Sequence, residues 1–209
     1  MNSEPETTRS GRPLGFDRAE MLSRLMKLFW QTGFERVTQQ QMAAVTGLST
    51  SSLYNTFGTK AEIYREAMAD YLRGMRAVLE PLEHGRRGSE DVLEMLSRTK
   101  AVLDSAQGKF GCMAVTAMTD PVDEQVARAT GEYREQLRAG FLAVAKRARE
   151  LGEAAPEPVL AANLMTAAVL GTLTVARAAP ESNELAAQLD ALRDFVNGWR
   201  PGLAHGVAG

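Results

Sequence analysis

One cysteine and two histidines, His84 and His205, are all that 209 residues offer in thiol and imidazole chemistry. A lone cysteine forbids an internal disulfide framework and makes a reducing compartment, the cytoplasm, the natural expectation. Neither histidine stands at metal-ligand spacing, and there is no nucleophile elbow or glycine-rich phosphate loop. No catalytic residue, metal or cofactor is therefore expected, and an enzyme is disfavoured. Acidic pairs such as Asp123-Glu124 fall in helix first turns, where the helix dipole accounts for them. Runs alternating Val, Ile, Thr and Tyr are lacking, which argues against a sheet-based fold. An overall excess of positive charge is lacking too. The formal charge is −2, unlike that of a non-specific nucleic-acid coat, so any such contact must be local. The opening MNSEPETTRSGRP has no apolar stretch, so no signal peptide is expected.

What the chain has is helix formers and a polarised charge distribution. Ala, Leu, Met, Glu, Arg and Gln dominate, and 44% of the residues are apolar, enough for one substantial core or two small ones. The expected fold is all-α: an N-terminal three-helix domain over residues 16–64, joined by a long helix to a helical body over residues 65–200. A polar, flexible arm (1–15) precedes them and a loose Gly-rich tail (201–209) follows. Between Arg9 and Lys60 the chain carries Arg9, Arg12, Arg18, Arg24, Lys27, Arg36 and Lys60 against only Asp17, Glu20 and Glu35.

Start and stop signals divide the chain. Asp17 caps a first helix with Glu20 in a capping-box position, and Leu22, Leu25, Met26, Phe29 and Trp30 give it one apolar stripe before Gly33 stops it. Thr38 and Gln41 form a second box, with Val37 and Met42 as a hydrophobic staple, and Gly47 ends that short helix. Ser49 caps a third, Thr50 to about Phe57. Thr59 and Glu62 open a long fourth helix, expected to reach Pro81. Ser89 is expected to cap a helix running to about Gln107. A short one follows from Cys112 to Thr119, then a long charged one from Asp120-Pro121 to Gly152. The stretch from Val159 to Ala176 lacks any charged residue and touches the length of a membrane span. Asn163, Thr166, Gly171, Thr172 and Thr174 dilute it, so a buried interface helix is expected and no membrane contact. In the last helix, Leu185, Leu189, Leu192, Val196 and Trp199 repeat at alternating spacings of 4 and 3, a coiled-coil-like seam.

Two short helices joined by Thr46-Gly47-Leu48-Ser49 match a helix-turn-helix, whose second helix would present Ser49, Thr50, Ser51 and Ser52 to base edges in a major groove. That helix carries no Lys or Arg, so it lacks the strongest guanine reader. The residues Leu22–Phe29, Gly33, Phe34, Thr38, Met42-Ala43, Gly47-Leu48-Ser49, Leu53-Tyr54, Phe57 and Lys60 resemble the signature of the TetR family of regulators. Gly11-Arg12-Pro13, Phe16-Asp17 and Leu28-Phe29-Trp30 are similar to its AcrR-like branch. The dense match covers residues 14–64; beyond it the resemblance rests on helix count and the apolar final pair.

The resemblance implies a transcriptional regulator of about nine helices that binds double-stranded operator DNA as a homodimer, most simply a repressor released by an unknown small-molecule effector or by thiol modification. Thr38, Tyr54 and Lys60 would hold the phosphate backbone, with Ser49 at the head of the reading helix. Gln40, Thr50, Ser51 and Asn55 would face base edges, and Arg9 and Arg12 the minor groove. Leu160, Leu164, Ala168 and Gly171, with Leu185, Leu189, Leu192, Val196 and Trp199, would form the dimer interface in a two-fold four-helix bundle. Met95, Phe110, Cys112, Met113 and Met118 are candidates to line an effector pocket, although ordinary core residues read the same way. Cys112 opens a helix beside Lys109, two features that lower a thiol pKa, so it is a candidate sensor as well as a candidate core residue. A helical adaptor that does not bind DNA is the competing class, and salt-dependent gel shifts separate the two.

Overall fold

The computed structural model describes residues 17–179 and 184–200, and the regular elements among them are all helical. They are α1 (Arg18–Thr32), α2 (Gln39–Thr46), α3 (Thr50–Phe57), α4 (Lys60–His84), α5 (Ser89–Leu103), α6 (Met113–Thr119), α7 (Glu124–Glu150), α8 (Pro158–Ala178) and α9 (Glu184–Asn197), with a 3₁₀ turn at Gly108–Phe110 before α6. The arm with Arg9 and Arg12, and the tail with His205, lie outside the described residues.

Local capping chemistry sets the N-terminal helices. Asp17 accepts from the backbone N–H groups of Ala19 and Glu20 at the head of α1. The expected box there does not close, because the Glu20 carboxylate pairs with Arg24 one turn on. At α2 the box is complete: Thr38 accepts from the Gln41 N–H while the Gln41 side chain accepts from the Thr38 N–H. Gly47 ends α2 with φ 72°, a left-handed conformation natural to glycine, and its N–H donates to the Ala43 carbonyl. The chain then turns so that α3 crosses α2. Leu25 and Phe29 of α1, Met42, Leu53 and Ile63 are at most 1% exposed and form the core of this reading head.

Longer-range chemistry sets the body, and several boundaries differ from expectation. The fourth helix passes through Pro81 and ends at His84. Proline has no N–H to give to the Ala77 carbonyl one turn back. The Arg98 guanidinium of α5 donates to that carbonyl instead, at 2.7 Å, so the helix continues without an orphaned acceptor. Ser89 is not a cap but the first residue of α5 behind Gly88; its N–H donates to the carboxylate of Glu153, beyond α7, at 3.1 Å and 3.3 Å. α5 stops at Leu103, short of Gln107, and α7 starts only at Glu124, capped by Asp123. Asp91 is fully buried, which a carboxylate tolerates only when paired. It accepts from the Arg87 N–H at 2.9 Å and from Arg147 at 3.3 Å, tying α5 to the end of α7.

The two last helices divide their apolar residues differently from expectation. α8 buries Ala161, Ala162, Met165, Val169 and Leu173 and leaves Leu160, Leu164 and Gly171 exposed, with Ala168 half-buried. By length and composition α8 could cross a membrane, but a core helix of a folded domain passes the same test. In α9 and the turn after it, Leu189, Val196 and Trp199 are 3%, 0% and 3% exposed within the single chain, and Leu185 and Leu192 are half-buried. The α9 seam is therefore largely an internal contact. Its 4-3 spacing is satisfied by α5 and α8 of the same chain, and those three side chains have no area left for a partner.

Gly47 has open space around a would-be Cβ, so substitution there meets only the backbone penalty of positive φ. Gly47→Ala is expected to cost about 1 kcal/mol or slightly more in urea denaturation, with the cooperativity of unfolding unchanged.

Candidate nucleic-acid interface

The reading head presents a row of small polar groups. Gln39 and Gln40 stand exposed on the first turn of α2, and Thr50, Ser51, Ser52 and Asn55 stand exposed on α3. Tyr54 is half-buried, its ring anchored against the core. Not every hydroxyl in the row is free. Ser49 accepts from the Ser52 N–H at 3.1 Å and hydrogen-bonds the hydroxyls of Ser51 and Ser52, so it acts as a cap. The Thr38 hydroxyl is likewise engaged with Gln41. Gln40, Thr50 and Asn55 carry no side-chain bond among the described residues and remain available to a ligand.

Lys60 sits at the first position of α4 with its Nζ donating to the Glu35 carbonyl at 3.3 Å and lying 4.5 Å from the centre of the Phe34 ring. The ammonium is held on the turn between α1 and α2, pinned by a carbonyl and a ring face. Arg36 is held in the same turn, donating through Nε to the Thr32 carbonyl. The head's positive charge thus flanks the reading row and does not lie within it.

Behind the head is a joint that local spacing does not reveal. The Trp30 indole N–H donates to the Gly111 carbonyl at 2.9 Å. One Arg177 nitrogen, Nη1, donates both to the Trp30 carbonyl at 3.1 Å and to the Phe110 carbonyl at 3.0 Å. The last turn of α1 is therefore bound to the 3₁₀ turn before α6 and to the end of α8. Trp30 also meets Tyr71 edge to face at 5.0 Å, and the Tyr71 hydroxyl donates to Cys112 Sγ at 3.2 Å. The partners are 81 and 147 residues from the groups they bind, out of reach of any periodicity.

Tyr71 and Cys112 line a narrow cavity of about 20 Å³ inside the body, together with Met75, Met95, Thr99 and Tyr133. That volume holds about one water, so a larger occupant must displace side chains. No charged side chain lines it. Of the residues proposed for an effector site, Met95 and Cys112 face this cavity. Met113 faces a separate cleft on the head side, and Phe110 and Met118 line neither. Tyr71, Thr99 and Tyr133 were not foreseen, because buried helix residues of an apolar stripe give no sign of which side is hollow.

Cys112 does not have the environment expected of a reactive thiol. It is 3% exposed, and burial pushes its pKa up, outweighing the Tyr71 hydrogen bond and the backbone N–H groups of Val115 and Ala114. Lys109, the neighbour in sequence, points to the Phe110 ring. Burial also raises Tyr71 well above the usual phenol range, and holds Tyr64 at about 12 with Arg177 pulling the other way. Since a raised pKa lowers the thiolate fraction at every pH, iodoacetamide should label Cys112 at least about tenfold more slowly in native protein than in urea. The gap should persist through neutral pH.

Residues 22–67 match the family model for bacterial regulatory proteins of the tetR family. An uncharacterized HTH-type transcriptional regulator of Bacillus subtilis, YezE, is 29% identical over 146 residues, covering 68% of this chain and 75% of its own. The Escherichia coli HTH-type transcriptional repressor ComR is 37% identical over 62 residues, 30% of each chain. Among solved structures, a cysteine mutant of the TetR family regulator CifR complexed with 26-bp double-strand operator DNA is 26% identical. It superposes with a TM-score of 0.71 over 91% of this chain and 100% of its own. With the helix-turn-helix, the polar reading row and the helical body already in place, these likenesses agree: residues 22–67 form a tetR-family helix-turn-helix domain, and the chain as a whole is similar to DNA-binding transcriptional regulators of that family.

Proposed function

We propose that the chain is an AcrR-like, dimeric repressor that leaves its operator when a small molecule binds the body. The observation that carries the reading is the exposed row Gln40, Thr50, Ser51 and Asn55 on two crossed helices, flanked by cations held off the row. Asn55 and Gln40 have the donor–acceptor pair that adenine presents in the major groove, and Thr50 and Ser51 are small enough to come close. Thr38, Tyr54 and Lys60 are the backbone-holding groups in this reading, with Ser49 supporting them as a cap. Residues 16–64 would serve as the DNA-binding domain and 65–200 as the effector and dimerisation domain, working in the cytoplasm.

The dimer in this proposal uses α8. Leu160 and Leu164 are about half exposed, and Ala168 and Gly171 continue the same face with small side chains that permit close helix approach. Joining two heads across such a face sets them about 34–36 Å, or a multiple of it, apart for successive grooves. The body cavity with Met95, Cys112, Tyr71 and Tyr133 is the effector site, and release follows if the effector binds the non-DNA state more tightly. Small-molecule occupancy is favoured over thiol modification, because Cys112 is buried with a raised pKa.

Fluorescence anisotropy on DNA from upstream of the chain's own gene tests the reading. Binding should fall steeply with salt, and Lys60→Ala should weaken it on all sequences while lowering the salt slope by about one. Salt-independent or absent binding would rule the repressor reading out in favour of a helical adaptor. Leu164→Glu should yield a monomer in sedimentation and lose operator affinity with it. A dimer that survives the substitution moves the interface off α8.

A further inference from the structure

We propose that the cleft between the reading head and the body is a second ligand site, separate from the cavity inside the body, and that it takes a small aromatic carboxylate through Arg177. The cleft has a volume of about 280 Å³ and draws its walls from both sides of the joint. The head contributes Trp30, Phe34 and Tyr64, and the body contributes Met113, Thr116 and Arg177. Trp30, Tyr64 and Met113 are nearly buried and Phe34 carries Lys60 on its ring, so together they give the cleft a rigid apolar floor against which the edge of a flat ring packs.

Arg177 supplies the specific group. Its Nη1 is committed to the Trp30 and Phe110 carbonyls, which fixes the plane of the guanidinium. Its Nε and Nη2 have no hydrogen-bond partner among the described residues, and it makes no ion pair there, although it is half-buried. A fixed guanidinium with one edge free is matched by the two oxygens of a carboxylate. The other charged groups facing the cleft are Glu35 and Arg36 on the turn after α1 and Asp120 after α6, all exposed. The two acids stand at the rim without pairing to Arg177, and Arg36 is engaged with the Thr32 carbonyl. The cleft therefore favours a monoanion with its charge directed inward and an apolar ring behind it, over a polyanion. An occupant touches head and body together and so biases the angle between them. Binding itself does not depend on the operator reading; only its effect on DNA does.

Benzoate is the probe, with benzamide as the neutral isostere and acetate as the anion without a ring, each titrated calorimetrically into the full chain. Benzoate should bind at millimolar concentration and raise the melting temperature, with benzamide and acetate at least about tenfold weaker, the usual effect of losing a charge-assisted bond or the ring contact. Arg177→Gln should weaken benzoate by a similar factor. Thr116→Phe, which fills the cleft from its exposed rim and leaves the Arg177 bonds intact, should abolish binding while melting like the parent; it decides the matter if Arg177→Gln fails to fold. No benzoate binding, equal binding of benzamide, or benzoate binding that survives Thr116→Phe would each overturn the proposal. Benzoate binding to a chain that fails to bind DNA would leave the site standing and remove the repressor reading alone.

Discussion

The position of the reading head depends on one indole. Trp30 lies in the last turn of α1, with its ring against Tyr71, its N–H on the Gly111 carbonyl and its own carbonyl held by Arg177. Three elements distant in sequence thus meet on a single residue, two on its indole and one on its backbone carbonyl. Because α1 packs on both α2 and α4, the indole fixes the head as a unit and not merely the end of a helix. The same contact reaches the interior: Tyr71 joins Trp30 on one side and Cys112 on the other, so the wall of the body cavity and the hinge of the head share atoms. Close-packed contacts of this kind have few intermediate arrangements, so under the proposed function a small displacement in the cavity would become a reorientation of the head.

The interface itself is built for proximity. Its hydroxyls and amides have short side chains, and two of the expected contacts, Ser49 and Thr38, are already committed to helix ends. A capping hydroxyl can accept from its own helix and still lie beside a phosphate, where the exposed N–H groups of the first turn add to it. The cations Lys60 and Arg36 stand back from the row, where under the proposed function they would supply attraction without sequence preference. Under the proposed function such an arrangement would separate the terms: flanking charge would govern encounter, and the neutral row discrimination.

The helix ends legible in the sequence were those with local causes. Thr38 with Gln41, Gly47, Ser49, and Thr59 with Glu62 all act within one turn of the chain, and the structure has each of them. Glu20 had the right spacing for a box but a stronger partner in Arg24. Ser89 looked like a cap because its true capping group, Glu153, is 64 residues away. The α9 stripe was correctly apolar, yet spacing reports only that a face is covered, not by which chain. For Cys112 the sequence leaves a sensor and a core residue both open, because a nearby lysine suggests a low pKa whereas burial, a property of the whole fold, raises it.

Pro81 and Arg98 illustrate a different dependence. The proline leaves a carbonyl of α4 without its donor, and the arginine of the next helix fills that position while also pairing with Glu80 and Glu94. Arg98 would be held by its two carboxylates in any case, but the proline's open carbonyl gives it a third partner, and without the arginine that carbonyl would turn to water. The helix thus keeps its hydrogen-bond ladder at the proline by borrowing a donor from its neighbour, which makes α4 and α5 one unit at this turn.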